Sequence, residues 1–413
     1  MIAKQPGLAR GRSLGLLLVA EIGAMSLWFV SSAILPELTR EAQLGAWRLG
    51  LLSAAVQLGF VIGALAMAIH GTSDRYNPRA VFAVSALGAA LANALLVVTP
   101  PGGDVQILLR ALTGVCLAGV YPVGMKIAVG WTLRRRGLVV GMLVGALTLG
   151  SAAPHGLALV GGPDWRTTVM LASILAVLAA ALILATRLGP HHVTAPHFDP
   201  TTLKLAWRLR PVRLAYSGYL CHMWELYAFW AWIGAALTAS LTQAGSADAT
   251  QTARLATFFA IGLGGVFCVP AGALADRFGK APVAGGTMGL SGCLAIATAL
   301  SFGGPPALTV TLAILWGICV IPDSALFSAL VADTAPADRA GSLMTLQTAL
   351  GFLLTAITIQ AAPLLADRFG WPVTLAVFGI GPLLGVETMR RLTRLLRNPQ
   401  KAAPKPFATV RNR

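Results

Sequence analysis

Charged residues are scarce in this chain. Asp, Glu, Lys and Arg make up only 11% of its 413 residues, whereas a soluble domain carries about 25%. So few charges could not cover the surface of a soluble body of this size, and the same composition excludes an intrinsically disordered chain and a collagen-like fibre. Hydrophobic residues make up 56%. The sequence therefore predicts an all-α membrane protein that crosses the bilayer many times.

Cysteine pairs and nucleotide-binding motifs are also lacking. The five cysteines lie inside apolar runs and share no paired spacing, so neither a disulfide framework nor a zinc site is expected. No P-loop occurs in the sequence, so ATP is not the expected energy source. We therefore predict no metal and no cofactor. The cysteines are Cys116, Cys221, Cys268, Cys293 and Cys319.

Acidic residues are outnumbered by basic ones. The chain has 15 Asp and Glu against 31 Lys and Arg, which gives a net charge of +16. In a soluble protein this excess would suggest binding to nucleic acid. Here the basic residues stand in short connections between apolar runs, where such residues set the orientation of membrane helices. Membrane lipid, and not nucleic acid, is the expected partner.

Twelve apolar runs have about the length that a helix needs to cross a bilayer. The first follows Lys4, Arg10 and Arg12 as a secretory signal would, but it is too long, contains Glu21 and precedes no small-residue cleavage site. The twelve predicted spans are 14–35, 48–69, 80–98, 106–130, 138–160, 167–186, 213–239, 254–273, 283–302, 307–330, 342–365 and 373–389.

The basic residues predict how the spans are oriented. With the N-terminus inside, 24 of the 31 Lys and Arg fall on the cytoplasmic side, five fall outside, and Arg110 and Lys126 lie within spans. Positive charge in short loops marks the cytoplasmic side. The expectation is a multi-pass protein of the cell inner membrane with both termini in the cytoplasm.

The chain repeats itself after about 200 residues. This division predicts a six-helix half at 1–186, a cytoplasmic linker at 187–212, a second six-helix half at 213–389, and a basic cytoplasmic tail at 390–413 that lies near anionic lipid. The landmarks that repeat, 200 to 206 residues apart, are Glu21 with Glu225, Asp74-Arg75 with Asp276-Arg277, Pro122 with Pro322, and Trp165 with Trp371.

A loop motif after the eighth span resembles one found in the major facilitator superfamily. The stretch runs Gly272-Ala-Leu-Ala-Asp276-Arg277-Phe-Gly279-Lys280 and is similar to the family pattern G-x-x-x-D-R-x-G-[RK]. The equivalent loop of the first half keeps Asp74 and Arg75 but has histidine in place of the leading glycine. Arg110-Ala-Leu-Thr-Gly114 resembles the Arg-x-x-x-Gly motif of the fourth span. The fifth span lacks the contiguous Gly-Pro of antiporters.

The resemblance covers nearly the whole chain. It implies a twelve-helix secondary transporter that works by alternating access, with the substrate site between the halves. It also implies that Asp74, Arg75, Asp276 and Arg277 act as a latch that closes the cytoplasmic side. The alternative is that these residues are loop charges that only set topology.

Ionisable residues inside spans are costly, so each is a candidate for function. Glu225 lies near the middle of the seventh span, and His222 is on nearly the same helix face. A carboxyl group in a dry cavity can take up a proton, and a nearby imidazole can relay it. Two alternatives remain, a purely structural pair and a metal site. Glu21, the repeat partner of Glu225, and Asp323, which follows Pro322, are further candidates for proton coupling.

Polar and aromatic residues on cavity-lining spans are candidates for substrate binding. Arg110 could bind an anionic substrate or hold the fourth span in place, and helix-spaced aromatic residues can also be simple packing. The predicted substrate-binding residues are Trp28, Gln57, Arg110, Tyr227, Trp230 and Gln347.

These features together predict a transporter and not an enzyme. No nucleophile–base or metal constellation stands out beyond His222 and Glu225. The expected function is movement of a small organic solute across the inner membrane, coupled to protons and carried out by a monomer. The alternatives are an uncoupled facilitator, an efflux antiporter for drugs or metabolites, a transporter-like sensor, and a membrane-embedded enzyme.

Overall fold

The structure is a computed structural model that describes residues 6–132, 136–162, 164–191, 202–336 and 339–397. Side chains are described from residue 10 onward, except those of 73, 74, 136, 137, 202 and 203. Residues 192–201 of the predicted linker and 398–413 of the predicted tail lie outside the described residues. Every regular element in the described ranges is a helix.

In its described residues, the first half contains ten α-helices and one short 3₁₀ helix. Several of the predicted spans consist of two helical pieces in series. The elements are α1 (Pro6–Met25), α2 (Val30–Ala33), α3 (Leu35–Ala42), α4 (Ala46–His70), α5 (Thr72–Arg75), α6 (Pro78–Ala94) with the 3₁₀ helix Leu95–Val98, α7 (Asp104–Leu117), α8 (Tyr121–Val129), α9 (Arg136–Val160) and α10 (Trp165–Leu184).

The second half repeats this order with longer helices. A short helix in the predicted linker precedes it. The elements are α11 (Thr202–Arg208), α12 (Arg210–Gln243), α13 (Ala249–Phe278), α14 (Lys280–Leu300), α15 (Pro306–Val320), α16 (Ser324–Thr334), α17 (Ala340–Phe369) and α18 (Trp371–Arg397).

Ten helical stretches in the described ranges are long and apolar enough to cross a membrane. They correspond to ten of the twelve predicted spans. The first and seventh spans are missing from this set for chemical reasons. The 20 residues of α1 include Arg10, Arg12 and Glu21, and α12 is rich in tyrosine and tryptophan, whose hydropathy is low.

Two helices extend beyond the predicted spans. α18 continues past 389 to Arg397, with Leu392 and Leu395 on its packed face. α12 starts at Arg210, shortly before the predicted seventh span.

The fourth and tenth spans are broken at equivalent places. Between α7 and α8 the chain leaves the helix at residues 118–120, and between α15 and α16 it does so at 321–323. Pro122 and Pro322 stand at these breaks. Proline has no N–H for the carbonyl one turn earlier, and its ring crowds that carbonyl, so the helix is interrupted.

The two halves meet along two pairs of long helices, α9 with α13 and α4 with α17. Glycines allow the first pair to approach closely. A Cβ atom on Gly145 would lie 3.2 Å from the carbonyl oxygen of Gly265, and one on Gly265 would lie 3.0 Å from the carbonyl oxygen of Gly145. Small residues at such crossings let helix backbones touch.

The bundle has two chemically different ends. We call the end that holds Arg79, Arg187 and Lys280 the basic end, and the end that holds Glu37 and Arg254 the distal end. Contacts between neighbouring connections fix this assignment. They include Arg79 Nη1 to the Thr186 carbonyl at 2.8 Å on the basic end, and Arg48 to Asp104 at 2.9 Å and Glu41 to Arg166 at 2.7 Å on the distal end.

Candidate functional site

Glu225 lies at the centre of a buried polar cluster in the second half. It is the sixteenth residue of the 34 in α12, and only 1% of it is exposed. Its Oε1 accepts a hydrogen bond from Trp316 Nε1 at 2.6 Å, and its Oε2 accepts one from Ser291 Oγ at 2.9 Å. Both partners are neutral. The carboxyl group is therefore buried and fully hydrogen-bonded by neutral donors.

His222 contacts a different acid, Asp323. Its Nδ1 lies 3.0 Å from Asp323 Oδ1, an ion-pair distance, although the geometry is not that of an aligned hydrogen bond. Asp323 is 2% exposed and immediately precedes α16, on the break after Pro322. The Nε2 atom of His222 is buried without a hydrogen-bond partner among the described residues.

The predicted relay between His222 and Glu225 is therefore not what the structure contains. The two residues share a helix face, but the bonds of Glu225 run to α14 and α15, while His222 faces the break between α15 and α16. The spacing along one helix cannot reveal this division, because it depends on which side chains the neighbouring helices present. Two separate buried acid sites result.

Glu21 occupies the equivalent place in the first half with different surroundings. It is fully buried, and neither carboxyl oxygen has a hydrogen-bond partner among the described residues. It lies against α8, since a Cβ atom on Gly124 would be 2.5 Å from Glu21 Oε2. Among the described residues, Glu21 therefore has no hydrogen-bond donor that corresponds to the Ser291 and Trp316 contacts of Glu225.

Arg110 holds the interrupted first span and does not face an open cavity. It is 1% exposed, and its guanidinium donates to the carbonyls of Leu27 at 3.0 Å and Trp28 at 2.5 Å and to Asn93 Oδ1 at 3.1 Å. These carbonyls lie in the gap between α1 and α2, where the helix no longer satisfies them. In the described structure, the contacts of Arg110 are therefore with the backbone of the first span and with Asn93.

An aromatic cluster joins the halves near the middle of the bundle. Trp28 lies 5.9 Å from Tyr227 and 5.6 Å from Phe352 by ring centroids, and Phe60 lies 4.5 Å from Phe352. Trp28 and Phe60 belong to the first half, and Tyr227 and Phe352 to the second. The predicted residues Trp28 and Tyr227 therefore face each other across the interface of the halves.

Trp230 continues this cluster. Its ring meets Phe29 of the first half edge-on at 5.7 Å and lies 5.2 Å from Tyr227. The side chain is fully buried, and its Nε1 atom has no hydrogen-bond partner among the described residues. A buried N–H of this kind is an available donor for a ligand.

Two buried glutamines were predicted to line the substrate path. The amide of Gln57 can accept from Trp28 Nε1 at 3.1 Å and donate to the Ser53 carbonyl at 2.6 Å when its oxygen faces the indole. Gln347 is 1% exposed, and both of its amide atoms lack partners among the described residues. Gln57 thus fixes the tryptophan, while Gln347 retains unused donors and an unused acceptor.

The halves are tied together at the distal end by an ion pair that the sequence did not reveal. Arg254 Nη2 of α13 lies 2.6 Å from Glu37 Oε2 of α3, and both side chains are less than 9% exposed. Gln360 Nε2 of α17 also donates to the Trp47 carbonyl of α4 at 3.1 Å. Arg254 is the first residue of the predicted eighth span, and Glu37 lies beyond the predicted first span. Burial of an ion pair becomes visible only once both helices are placed.

A second ion pair on the same short helix stays within the first half. Glu41 of α3 binds Arg166 at 2.7 Å and accepts a hydrogen bond from Trp165 Nε1 at 2.6 Å. The hydrogen bond from Arg166, and then the one from Trp165, lower the pKa of Glu41 below its usual value. This carboxylate is accordingly charged at neutral pH.

The predicted latch loop after α13 forms a tight turn at the basic end. Gly279 has φ of 94°, a conformation that favours glycine, and separates α13 from α14. Lys280 forms an ion pair with Asp333 of the same half. Asp276 and Arg277 are exposed, and a Cβ atom on Gly272 would meet nothing within 4 Å.

The corresponding loop of the first half has its own turn glycine. Gly71, one residue after the position where the motif expects glycine, ends α4 with φ of 63°. Arg75 is exposed, and the side chain of Asp74 lies outside the described residues. Although His70 occupies the position of the motif's first glycine, Gly71 therefore provides the turn of the backbone.

Among the described residues, no three His, Cys, Asp or Glu side chains are arranged to hold a metal ion. The buried acids, the aromatic cluster between the halves and the long apolar helices together define a membrane transport protein with two repeated halves. Comparison with known proteins gives the family. The chain belongs to the Major Facilitator Superfamily, whose model matches residues 16–240 and 215–412.

Solved transporter structures share this fold across nearly the whole chain. A D-xylose–proton symporter superposes with a TM-score of 0.72 at 15% identity, covering 91% of this chain and 97% of the other. The nucleoside transporter NupG gives 0.70 at 13% identity, covering 92% and 99%. A bacterial homologue of the human lysosomal transporter Spinster, in an inward-facing and occupied conformation, gives 0.74 at 12% identity, covering 98% and 100%.

No curated protein matches the chain. The family and these neighbours confirm the resemblance to the superfamily and identify a multi-pass membrane transporter rather than an enzyme. At identities below 20%, these structures show the fold of the chain and not its substrate. The substrate has to be argued from the residues of the chain itself.

Proposed function

We propose that the chain is a proton-coupled secondary transporter that moves a small organic solute across the cell inner membrane as a monomer. It crosses the membrane twelve times, with α1 and α12 as the first and seventh spans and both termini in the cytoplasm. The helices α1 and α12 pack among the ten apolar stretches, which supports this count. The xylose and nucleoside transporters named above support a small polar solute as the substrate class.

Alternating access is supported by where the halves touch. Hydrogen bonds between the halves at the distal end include those of Arg254 with Glu37 and with the Ala33 carbonyl, and that of Gln360 with the Trp47 carbonyl. At the basic end, Asp276 and Arg277 are exposed. With cytoplasmic termini, the closed distal end supports an inward-facing state.

The burial of Glu225 between two neutral donors is the observation that carries proton coupling. Trp316 can only donate, so Oε1 must remain an acceptor. The Ser291 hydroxyl can donate to Oε2 or accept from it. The site therefore fits both the carboxylate and the protonated acid, with the proton on Oε2, without moving a heavy atom. A charge left unpaired in this site is costly, so opening and closing of the cavity alters proton binding.

His222 and Asp323 form a second acid site on a helix break, where backbone movement can change their distance. Glu21 is the third candidate, and neither of its carboxyl oxygens has a hydrogen-bonding partner among the described residues. We assign the transported proton to Glu225, a modulating role to the His222–Asp323 pair, and a minor role to Glu21.

The solute site lies between the halves, beside the aromatic cluster. Trp28, Tyr227 and Trp230 offer ring faces, and Gln347 and the Trp230 indole offer unused polar atoms. Gln57 orients Trp28. Arg110 is left out of the solute site, because its guanidinium already binds the backbone of the first span.

Coupling is tested with Glu225→Gln in proteoliposomes, once a thermal-shift screen has supplied a substrate. Glutamine imitates the protonated acid, so this variant should lose uphill accumulation driven by a pH gradient while exchange of substrate without a gradient continues. Glu21→Gln is the matched control, because it removes an equally buried carboxyl group from the repeat position, and it should retain accumulation. His222→Ala should shift the pH profile of uptake.

A substrate-free measurement complements transport. The infrared carbonyl band of a protonated carboxyl group should appear in the wild type at neutral pH and be weaker in Glu225→Gln. Accumulation that survives in Glu225→Gln would transfer the role to Asp323. Equilibration of the substrate without accumulation under any pH gradient in the wild type would favour an uncoupled facilitator, and gradient-driven extrusion would favour an efflux antiporter.

The orientation has its own test, which uses single cysteines in a cysteine-free background. Positions 196 and 405 should react with a membrane-impermeant reagent only from the cytoplasm, and positions 245 and 304 only from outside. The distribution of 24 basic residues on one side against five on the other is the reason. Reaction of position 196 from outside would reverse the orientation.

A further inference from the structure

A groove at the basic end lies on the outer surface of the second half, away from the buried acids. It has a volume of about 400 Å³ and runs between the start of α14 and the last turns of α18. Leu290 of α14 and Leu384 of α18 are more than half exposed on the same two helices. Exposed leucines on long apolar helices face lipid, so the groove opens at the edge of the bilayer.

One wall of the groove is strongly basic. Arg390, Arg394 and Arg397 line it, and their i, i+4, i+7 spacing places them on one face of α18. Glu387 lies 3.7 Å from Arg390 and 2.9 Å from Arg391, so it offsets part of this charge. Among the described residues, Arg394 and Arg397 form no ion pair, although Glu387 also interacts electrostatically with Arg394. Both guanidinium groups therefore remain open to an anion from outside the chain.

The floor of the groove is apolar. Pro282, Val386 and Met389 contribute to it, and Gly286 leaves it open, since a Cβ atom there would meet nothing within 4 Å. The groove thus places arginine side chains at the level of the membrane–water interface, with an apolar surface beside them on the membrane side. This pattern is complementary to a lipid that carries a phosphate above its acyl chains.

We propose that this groove binds the headgroup phosphate of an anionic phospholipid between α14 and α18. The phosphate lies between Arg394 and Arg397 and the first turn of α14, whose helix N-terminus favours negative charge. The glycerol and upper acyl chain lie over Gly286 and Val386. Arg390 contacts the side of the headgroup and keeps its ion pair with Glu387.

The test is native mass spectrometry of the purified full-length protein with added phosphatidylglycerol or phosphatidylcholine. The wild type should retain phosphatidylglycerol in preference to phosphatidylcholine. The double variant Arg394→Gln, Arg397→Gln should weaken phosphatidylglycerol binding by about 30-fold. Each of the two arginines near an anionic headgroup should contribute a factor of about 5 to the affinity. The double variant Arg208→Gln, Arg210→Gln removes the same charge from exposed positions elsewhere and should bind as the wild type does.

A second variant separates shape from charge. Gly286→Leu keeps every arginine and has room for its side chain, so the protein should fold, yet the leucine fills the floor and should reduce lipid binding. Equal retention of the two lipids by the wild type, or unchanged binding in both groove variants, would overturn the proposal. Stabilisation by inorganic phosphate alone, with no preference between lipids, would also overturn it, because the site would then serve a soluble anion.

Discussion

At the scale of the residue, Arg110 stabilises the break in the first span. Arg110 donates to two carbonyls in the gap after α1 and to Asn93, whose amide in turn donates to the Val169 carbonyl at 3.1 Å and Ser173 at 3.0 Å. This network connects the first, third, fourth and sixth spans. No arginine or lysine lies between 281 and 338 in the second half, and its seventh span is unbroken.

Arg110→Lys tests this role. Lysine keeps the charge but lacks the planar fork that reaches both carbonyls and Asn93. Each lost charged hydrogen bond in a buried setting costs about 1.5–3 kcal/mol, so the variant should unfold several degrees earlier. The measurement is the thermal unfolding midpoint in detergent. A Lys126→Arg variant, on the same span, is the control, and substrate binding that disappears without any loss of stability would instead return Arg110 to the solute site.

The identity of the key residues could be predicted from the sequence better than their partners. Glu225 was singled out because an acid in an apolar run is costly, and it is indeed buried. Ser291 and Trp316, which bind it, come from helices 66 and 91 residues away, and no pattern along α12 indicates their rotation. The breaks in the fourth and tenth spans coincide with Pro122 and Pro322, whereas the break after Met25 has no proline and its carbonyls bind Arg110 from another span.

At the scale of the element, one pentapeptide ends two helices at opposite ends of the bundle. Ala275-Asp-Arg-Phe-Gly279 closes α13 at the basic end, and Ala366-Asp-Arg-Phe-Gly370 closes α17 at the distal end. Both glycines have positive φ, 94° and 82°. The sequence itself therefore specifies the helix end and the turn. Any additional role in closing the transporter must come from its position.

This duplication supplies a matched pair for the latch. Asp276→Asn should slow substrate turnover, because it weakens closure of the basic end when the transporter faces outward. Asp367→Asn makes the identical change in the identical local sequence at the other end, and both aspartates are exposed. It should transport at the wild-type rate. Expression and unfolding midpoints should match for both variants, and equal transport rates would show that Asp276 is only a loop charge.

At the scale of the whole molecule, a buried ion pair joins the two halves at the distal end. It is formed by Glu37 and Arg254, whose side chains are 8% and 7% exposed. Removing one partner of a buried ion pair leaves an uncompensated charge, which costs about 3–5 kcal/mol. This contact exists only when the distal end is closed. Its loss should therefore shift the equilibrium toward the state that is open at the distal end, and should change the unfolding free energy of each half less.

Glu37→Gln should therefore populate the state that is open at the distal end. Spin labels at Gln43 of the first half and Ala247 of the second should show a longer distance component by pulsed electron resonance. Glu41→Gln is the control on the same short helix, because Glu41 pairs with Arg166 of its own half and is partly exposed. It should leave the distance distribution unchanged, and an identical shift in both variants would mean that α3 simply loosens.

The unbroken seventh span has a mechanical consequence. With 34 residues, α12 is about 51 Å long, well beyond the roughly 30 Å of the hydrocarbon core. Glu225 lies near its midpoint. Spans that are interrupted can flex at their breaks, whereas an unbroken helix tilts as one piece, so its two ends move in opposite directions. In the proposed function, Glu225 therefore moves little during the transport cycle, while the helices that surround it rearrange.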